Sequence, residues 1–233
     1  MKTIHAGTSG WSYANWRPQF YPEKLAPAKF LAFYATRLNS VEVNYTFRHF
    51  PTAKLLNGWI SATPPDFQFS LKAPQTITHI RRLRNTSELA VQFVDALWPL
   101  QNAKKLGAVL FQLPPNLQCD AGLLKDFLGE LPGSTRAAFE FRHESWFCDA
   151  VFAELHEANA ALCQAESDKL ESPDVQTANF SYFRMRKESY PADARSKLAT
   201  KIRRLAKAGD VFLYFKHEDT PEGALYAEDI LRH

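Results

Sequence analysis

Residues Ala137–Trp146 read AAFEFRHESW. Phe139 and Phe141 alternate with Ala138, Glu140 and Arg142. That is a period of two, so Glu140 and Arg142 share one face of a strand and the phenylalanines share the other. A carboxylate and a guanidinium two residues apart on one strand face are costly to bury unless that face opens onto a cavity, a partner or a ligand.

The same alternation recurs in both directions from this stretch. Upstream it marks Ile4–Ser9, Val41–Tyr45, Phe67–Lys72 and Ala108–Leu113; downstream it marks Ala161–Glu166, Ser181–Arg186 and Val211–Lys216. Between these runs lie segments with apolar residues at helical spacing: Pro27–Leu38, the stretch after Pro51, Ser87–Leu100, Gly122–Leu131, Ala150–Ala160, Ala192–Ala208 and Glu222–Arg232. Ser167–Asn179 is polar, carries Pro173 and reads as a loop or a vestigial helix. Eight strand signals alternating with helices imply parallel strands with right-handed crossovers. In a chain of 233 residues that predicts one (β/α)8 TIM-barrel domain, α/β in class, spanning residues 1–233. An open doubly wound sheet would carry a glycine-rich phosphate turn after its first strand. Here that turn is GTSGW (Gly7–Trp11), without the required glycine spacing.

A barrel also accounts for where the polar residues fall. Glu42 and Asn44, Lys72, Gln112, Glu140 and Arg142, Glu166, and Arg184 and Arg186 occupy one alternating face and crowd the C-terminal ends of their strands; Lys216 adds an eighth-strand member. In a barrel that face points inward and its C-terminal end is the active-site mouth.

The totals exclude little. At 45% hydrophobic and 13% aromatic the chain can bury a sizeable core, and a net charge of +3 is too mild to indicate nucleic acid by itself. Cys119, Cys148 and Cys163 have no metal-ligand spacing, which points to a reduced, cytoplasmic protein. No segment has signal-peptide character or the length of a membrane span, so no membrane partner is expected.

Several of these stretches together resemble the YecE-like proteins of domain-of-unknown-function family 72. They are GTSGWSYANW (Gly7–Trp16) with FYP (Phe20–Pro22), VEVNYTF (Val41–Phe47), FSLKAPQTITH (Phe69–His79), GAVLFQLPP (Gly107–Pro115), FEFRHESWF (Phe139–Phe147), YFRMR (Tyr182–Arg186) and FKHED (Phe215–Asp219). The resemblance implies a TIM barrel, in agreement with the alternation, and brings no reaction with it. Some barrels of the family look similar to metal-dependent apurinic-site endonucleases, an analogy of shared fold.

Lys72, Arg142, Arg184, Arg186 and Lys216 come from four strands that converge on one mouth, and the loop after the third strand adds His79, Arg81, Arg82 and Arg84. Such charges repel unless something neutralises them. Either they bind a phosphate or carboxylate, for which arginine offers a bidentate fork, or they form an internal lattice of ion pairs with Glu42, Glu140 and Glu166. Counting Lys72, Arg142, Arg184 and Lys216 against those three carboxylates leaves one surplus positive charge. Gln112 and Asn44 would add polar contacts. With so many cations nearby the carboxylates should be ionised, so Glu42 or Glu140 would act as a base. A glycosidase would need a second carboxyl at a defined separation, which a sequence does not give.

Trp11, Tyr13 and Trp16 in the first loop and Trp146 after the fifth strand either stack on a flat ligand or form a hydrophobic lid on the rim. His79, His143 and His217 with Glu42, Glu140, Glu166 and Glu218 offer the residue types for a metal, but no H-x-H or H-E-x-x-H spacing accompanies them. No cofactor is predicted, with a divalent metal as the lesser alternative. The basic helix carrying Arg195, Lys197, Lys201, Arg203, Arg204 and Lys207 reads as a solvated outer face, with a nucleic-acid contact as the alternative.

The leading expectation is an enzyme acting on a small anionic, phosphate-bearing substrate. Lys72, Arg142, Arg184 and Lys216 would hold the anion, Trp11, Tyr13, Asn44, His79, Gln112 and Trp146 would line the site, and Glu42 or Glu140 would be catalytic. The alternatives are a non-catalytic nucleic-acid-binding barrel and a metal-dependent hydrolase or phosphoesterase.

Overall fold

The computed structural model describes residues 3–166, 170–187, 189–216 and 219–232. Its strands are β1 Ile4–Thr8, β2 Ser40–Val43, β3 Gln68–Lys72, β4 Leu106–Gln112, β5 Ala137–Glu140, β6 Ala161–Ala165, β7 Phe180–Met185 and β8 Asp210–Phe215. All neighbours pair in parallel, in the order β1-β8-β7-β6-β5-β4-β3-β2. The helices are α1 Phe30–Tyr34, α2 Ala53–Ser61, α3 Ser87–Ala96, α4 Trp98–Asn102, α5 Ala121–Glu130, α6 Asp149–Glu157, α7 Ala192–Leu205 and α8 Glu222–Arg232. This is the expected TIM-barrel architecture.

The ends of that strand order are joined differently from the rest. β1 and β2 share one backbone bridge, Ser9 to Glu42, with Gly10 N donating to the Glu42 carbonyl at 2.8 Å. Elsewhere along the seam, side chains stand in for the missing ladder. The Asn39 amide accepts from Ala6 N at 2.9 Å and donates to the Ile4 carbonyl at 2.8 Å. The Tyr34 hydroxyl accepts from Thr8 N at 2.8 Å and donates to the Ser40 carbonyl at 2.9 Å. Each pair satisfies backbone groups that would otherwise be buried unpaired. Gly7 makes the approach feasible, because a Cβ there would lie 1.8 Å from the Ser40 oxygen.

The apolar residues divide into two layers. One lies between the strands and the helices and holds Phe111, Phe139 and Phe141. Phe139 stacks on Phe111 with centroids 5.2 Å apart, and Phe141 stacks on Trp146 at 4.7 Å. The other fills the barrel and is led by Phe180, Tyr182, Phe212 and Tyr214. Strand five therefore has the predicted orientation, phenylalanines outward and Glu140 inward.

Two expectations about elements need correction. The helix predicted over Ser87–Leu100 is broken at Leu97, and α4 begins with Pro99 in its first turn. Proline has no N–H to donate and its ring would clash with the carbonyl four residues back, so a new helix starts there. In β6 the inward residues are Ala161, Cys163 and Ala165, so Leu162, Gln164 and Glu166 belong to the other face. Gln164 meets Lys201 of α7 at 2.8 Å. The interior beside β6 is taken up by Tyr182 and Arg184, and only small side chains leave room for them.

Candidate functional site

The barrel interior carries an ion-pair network at its C-terminal end. Arg184 of β7 and Glu42 of β2 are 2% and 0% exposed, and Glu140 of β5 is 2% exposed. Arg184 donates from Nε and Nη2 to Glu42 Oε1, at 3.1 and 2.7 Å, and from Nη1 to Glu140 Oε2. Glu42 also accepts from Ser9 Oγ and, at its other oxygen, from the Tyr182 hydroxyl, each at 2.7 Å. Glu140 Oε2 accepts from Gln112 Nε2 at 2.8 Å, and Gln112 Oε1 accepts from Lys72 Nζ at 2.8 Å. One hydrogen-bonded chain thus links the first five strands and β7.

Towards solvent the network ends in two more guanidinium groups. Arg142 Nε donates to Glu140 Oε1 at 3.0 Å, and Arg186 Nη2 lies 3.7 Å from the same oxygen. The terminal nitrogens of Arg142 make no hydrogen bond to any described residue. Arg186 Nε and Asn44 Oδ1 are buried without a partner among the described residues. Burial would raise the pKa of both carboxylates. For Glu42 the Arg184 charge and its hydrogen bonds override burial, and for Glu140 the charges of Arg184, Arg186 and Arg142 do so. Both are held below the usual carboxylate range. Both are ionised, and their lone pairs are taken up by donors.

Lys72 differs from the arginines. Among the described residues no carboxylate oxygen lies within 4.0 Å of its Nζ. The amine sits 3.9 Å from the centre of the Phe47 ring, and the ring of His79 meets Phe47 edge-on with centroids 5.0 Å apart. Burial, and then the charge of Arg184, lower the Lys72 pKa to about 8. Burial, Lys72 and Arg142 likewise lower that of His79. Phe47 was absent from the sequence expectation. The signal for it was VEVNYTF itself: beyond Val43 the chain leaves the strand into a short 3-10 turn over Tyr45–Phe47, which folds an aromatic residue over the end of β3.

Several predicted members lie elsewhere. Glu166 is outside the barrel, where it accepts from Tyr190 at 2.6 Å and Lys187 at 3.3 Å. Lys216 is exposed beyond the end of β8, because its side chain has passed the last ladder position. Trp146 is fully buried with its Nε1 donating to the Leu117 carbonyl at 2.8 Å, so it packs as part of the rim rather than as a stacking platform. Trp16 is fully buried as well. Trp11 is half-buried against Trp59, and the half-buried Tyr13 donates to the Ser9 carbonyl at 2.8 Å, which fits the lid alternative. Arg186, one residue past the end of β7, keeps the inward side that the alternation gave it and belongs to the network. Arg84 pairs with Asp120 at 3.0 Å on the surface, and His143 Nδ1 bonds Ser145 at 2.8 Å. His217 and Glu218 lie outside the described residues. Among the described residues no three His, Cys, Asp or Glu side chains are grouped to hold a metal, and no helix is long and apolar enough to cross a membrane.

The chain belongs to the family described as protein of unknown function DUF72, whose match covers residues 5–233. It is 32% identical over 154 residues to the UPF0759 protein YunF of Bacillus subtilis, covering 62% of this chain and 52% of that protein. It is 32% identical over 145 residues to the UPF0759 protein YecE of Escherichia coli K12, covering 62% and 50%. In these matches the chain spans about half the length of the curated relatives. A crystal structure of a DUF72 family protein from Thermotoga maritima superposes with a TM-score of 0.86 at 24% identity, covering 99% of this chain and 98% of that one. A DUF72 family protein from Enterococcus faecalis gives 0.78 at 19% identity, covering 100% and 99%. At these identities the likeness to the solved structures is one of fold.

Proposed function

We propose that this DUF72 family barrel is an enzyme that binds a small anionic substrate, carrying a phosphate or carboxylate, at its C-terminal mouth. One observation carries the proposal. Among the described residues the network holds four cations, Lys72, Arg142, Arg184 and Arg186, against two carboxylates, Glu42 and Glu140. With all six ionised the surplus is two positive charges, and with a neutral Lys72 it is one. With Lys72 charged the imbalance exceeds the sequence expectation of one, because Glu166 and Lys216 both drop out while Arg186 joins.

Arg184 has its guanidinium committed to the carboxylates on both sides, so it positions them. The groups left to face an anion are Arg142, Arg186 and Lys72. Burial and the charge of Arg184 both act against the Arg186 cation, and a guanidinium keeps its proton. An arriving anion would relieve this repulsion in a partly desolvated site. Glu42 and Glu140 then hold and aim cations instead of moving protons, which leaves Lys72 and His79 as the groups able to do so. A cytoplasmic setting is part of the proposal, given three free thiols.

The test is thermal melting with phosphate at constant ionic strength. Phosphate at a hundredfold excess over Kd should add about 2.7 kcal/mol, or roughly 5–10 °C for a chain of this size. Sodium chloride at matched ionic strength should not. Arg142→Met should remove the shift. Absence of any shift with phosphate, sulfate or a nucleoside monophosphate would oppose the proposal.

A further inference from the structure

Lys72 occupies a different environment from the other cations of the mouth. It stands at the C-terminal end of β3, and its Nζ makes one hydrogen bond to a described residue, to the neutral amide oxygen of Gln112 at 2.8 Å. An ammonium has three N–H donors and seeks carboxylate oxygens. Both nearby carboxylates are instead engaged by arginines: Glu42 by Arg184, and Glu140 by Arg184, Arg142 and Arg186. On its other side the amine meets the face of Phe47 at 3.9 Å. A lysine placed to make an ion pair would not be arranged this way.

We infer that Lys72 is a nucleophilic amine that forms an imine with a small carbonyl compound bearing a carboxylate or phosphate. This rests on the anion site proposed above, since Arg142 and Arg186 would hold the charged group while the carbonyl carbon meets Nζ. The chemistry requires a neutral amine. Burial and the charge of Arg184 lower its pKa to about 8, so far more of Lys72 is neutral near pH 7.5 than of an ordinary lysine.

The step balances without a redox partner. The Nζ lone pair forms the N–C bond, the carbonyl π pair moves to oxygen, and that oxygen takes up a proton. The nitrogen of the resulting carbinolamine then loses a proton, the hydroxyl is protonated and leaves as water, and the C=N bond forms. Amine, carbonyl and one proton become a protonated imine and water, and the protonated imine is the species that borohydride reduces. His79 is placed to relay those protons. Its ring lies against Phe47 at 5.0 Å, and its Nδ1 is 2.9 Å from Thr78 Oγ1. With Nδ1 engaged there, Nε2 is the nitrogen left to exchange a proton with the bound compound.

The full chain is incubated separately with pyruvate and with dihydroxyacetone phosphate, then reduced with sodium borohydride, which converts an imine to a stable secondary amine. Intact mass and peptide mapping locate the adduct, and phosphate melting is run in parallel. The expected result is one reduced adduct on Lys72, labelled more than about tenfold ahead of any other lysine. In the wild type the labelling rate should rise with pH through about 8. Lys72→Arg should lose the adduct yet still melt higher with phosphate. A phosphate shift with no adduct from either compound, or with adducts scattered over the lysines, overturns the imine and leaves the anion site standing. An adduct on Lys72 without a phosphate shift supports the imine and opposes the anion site. Absence of both overturns both.

Discussion

Arg184 of β7 donates two hydrogen bonds to a single oxygen of Glu42 of β2 inside the barrel, at 3.1 and 2.7 Å. It bonds Glu140 with its remaining amino group. The pairing is structural in the strict sense that each partner leaves the other a buried, uncompensated charge when removed. Arg184→Met should therefore cost on the order of 3–5 kcal/mol. Arg142→Met should cost little, or stabilise, because it removes a repelling charge from a side chain that is 34% exposed. Urea unfolding of the two variants checks this, and equal losses would contradict the division into positioning and ligand-facing arginines.

The barrel seam supplies a second test. Tyr34 bridges Thr8 N and the Ser40 carbonyl through its hydroxyl. Tyr34→Phe leaves both without that partner in a fully buried place and should cost about 1–3 kcal/mol. Gly7→Ala should be far worse, since its Cβ would overlap the Ser40 oxygen at 1.8 Å. Hydrogen exchange on Thr8 and neighbouring β1 amides should report the Tyr34→Phe loss locally. Unchanged protection and stability would mean that the seam does not depend on this hydroxyl.

The layers make a third. Phe141 is buried in the outer core and stacked on Trp146, so Phe141→Ala should cost roughly 3–5 kcal/mol. Lys197 on α7 has a side chain that is 82% exposed, and Lys197→Ala should stay within about 0.5 kcal/mol. Arg195 does not serve as the surface control, because it pairs with Asp229 at 2.9 Å and covers the Tyr226 ring. Chemical denaturation of both variants decides it, and comparable losses would undo the inside–outside assignment.

Acid sensitivity follows from His5, which stacks on Phe212 inside the barrel. Burial is the main reason its pKa falls to about 4 from 6.5; Arg136 adds to the fall and Asp210 opposes it. A folded-state pKa below the unfolded one means that the unfolded chain takes up the proton first. Stability is then complete above pH 6.5 and declines as pH falls towards 4, by up to about 3 kcal/mol. His79, also lowered, acts in the same direction. The depressed carboxylates Glu42 and Glu140 add a loss that begins only below their usual value of 4.5. Stability curves at graded pH should show His5→Gln flattening the upper window and sparing the lower one. An unchanged slope above pH 4.5 would contradict the assignment.

The parts of this architecture that depend on local alternation were legible from the chain. Glu140 with Phe139 and Phe141, Lys72, Gln112 and Arg184 could all be oriented by a period of two. β6 could not, because the rule that polar residues face the mouth selected Gln164 and Glu166. The interior there instead needed the small side chains of Ala161, Cys163 and Ala165 beside Tyr182 and Arg184. That requirement comes from other strands and leaves no mark in ALCQAE. Lys216 and Arg186 both continue an inward alternation past the last ladder residue. Only Arg186 reaches Glu140, and the residue type alone does not distinguish the two. The roles of Tyr34 and Asn39 at the seam were likewise invisible, since they act on residues 26 and 33 positions away. Phe47 lies in a turn, where periodicity has no meaning, so alternation does not mark it.

The central claim is that the surplus charge of the mouth receives an anion. The most direct measurement is anomalous diffraction from crystals of the full chain grown or soaked in tungstate, a tetrahedral oxyanion analogue of phosphate. The predicted result is an anomalous peak at the mouth within hydrogen-bonding reach of Arg142, Arg186 and Lys72, lost in Arg142→Met crystals. Peaks confined to the outer basic helix, with the mouth holding only water, would contradict it and leave the cations as internal ion-pair partners.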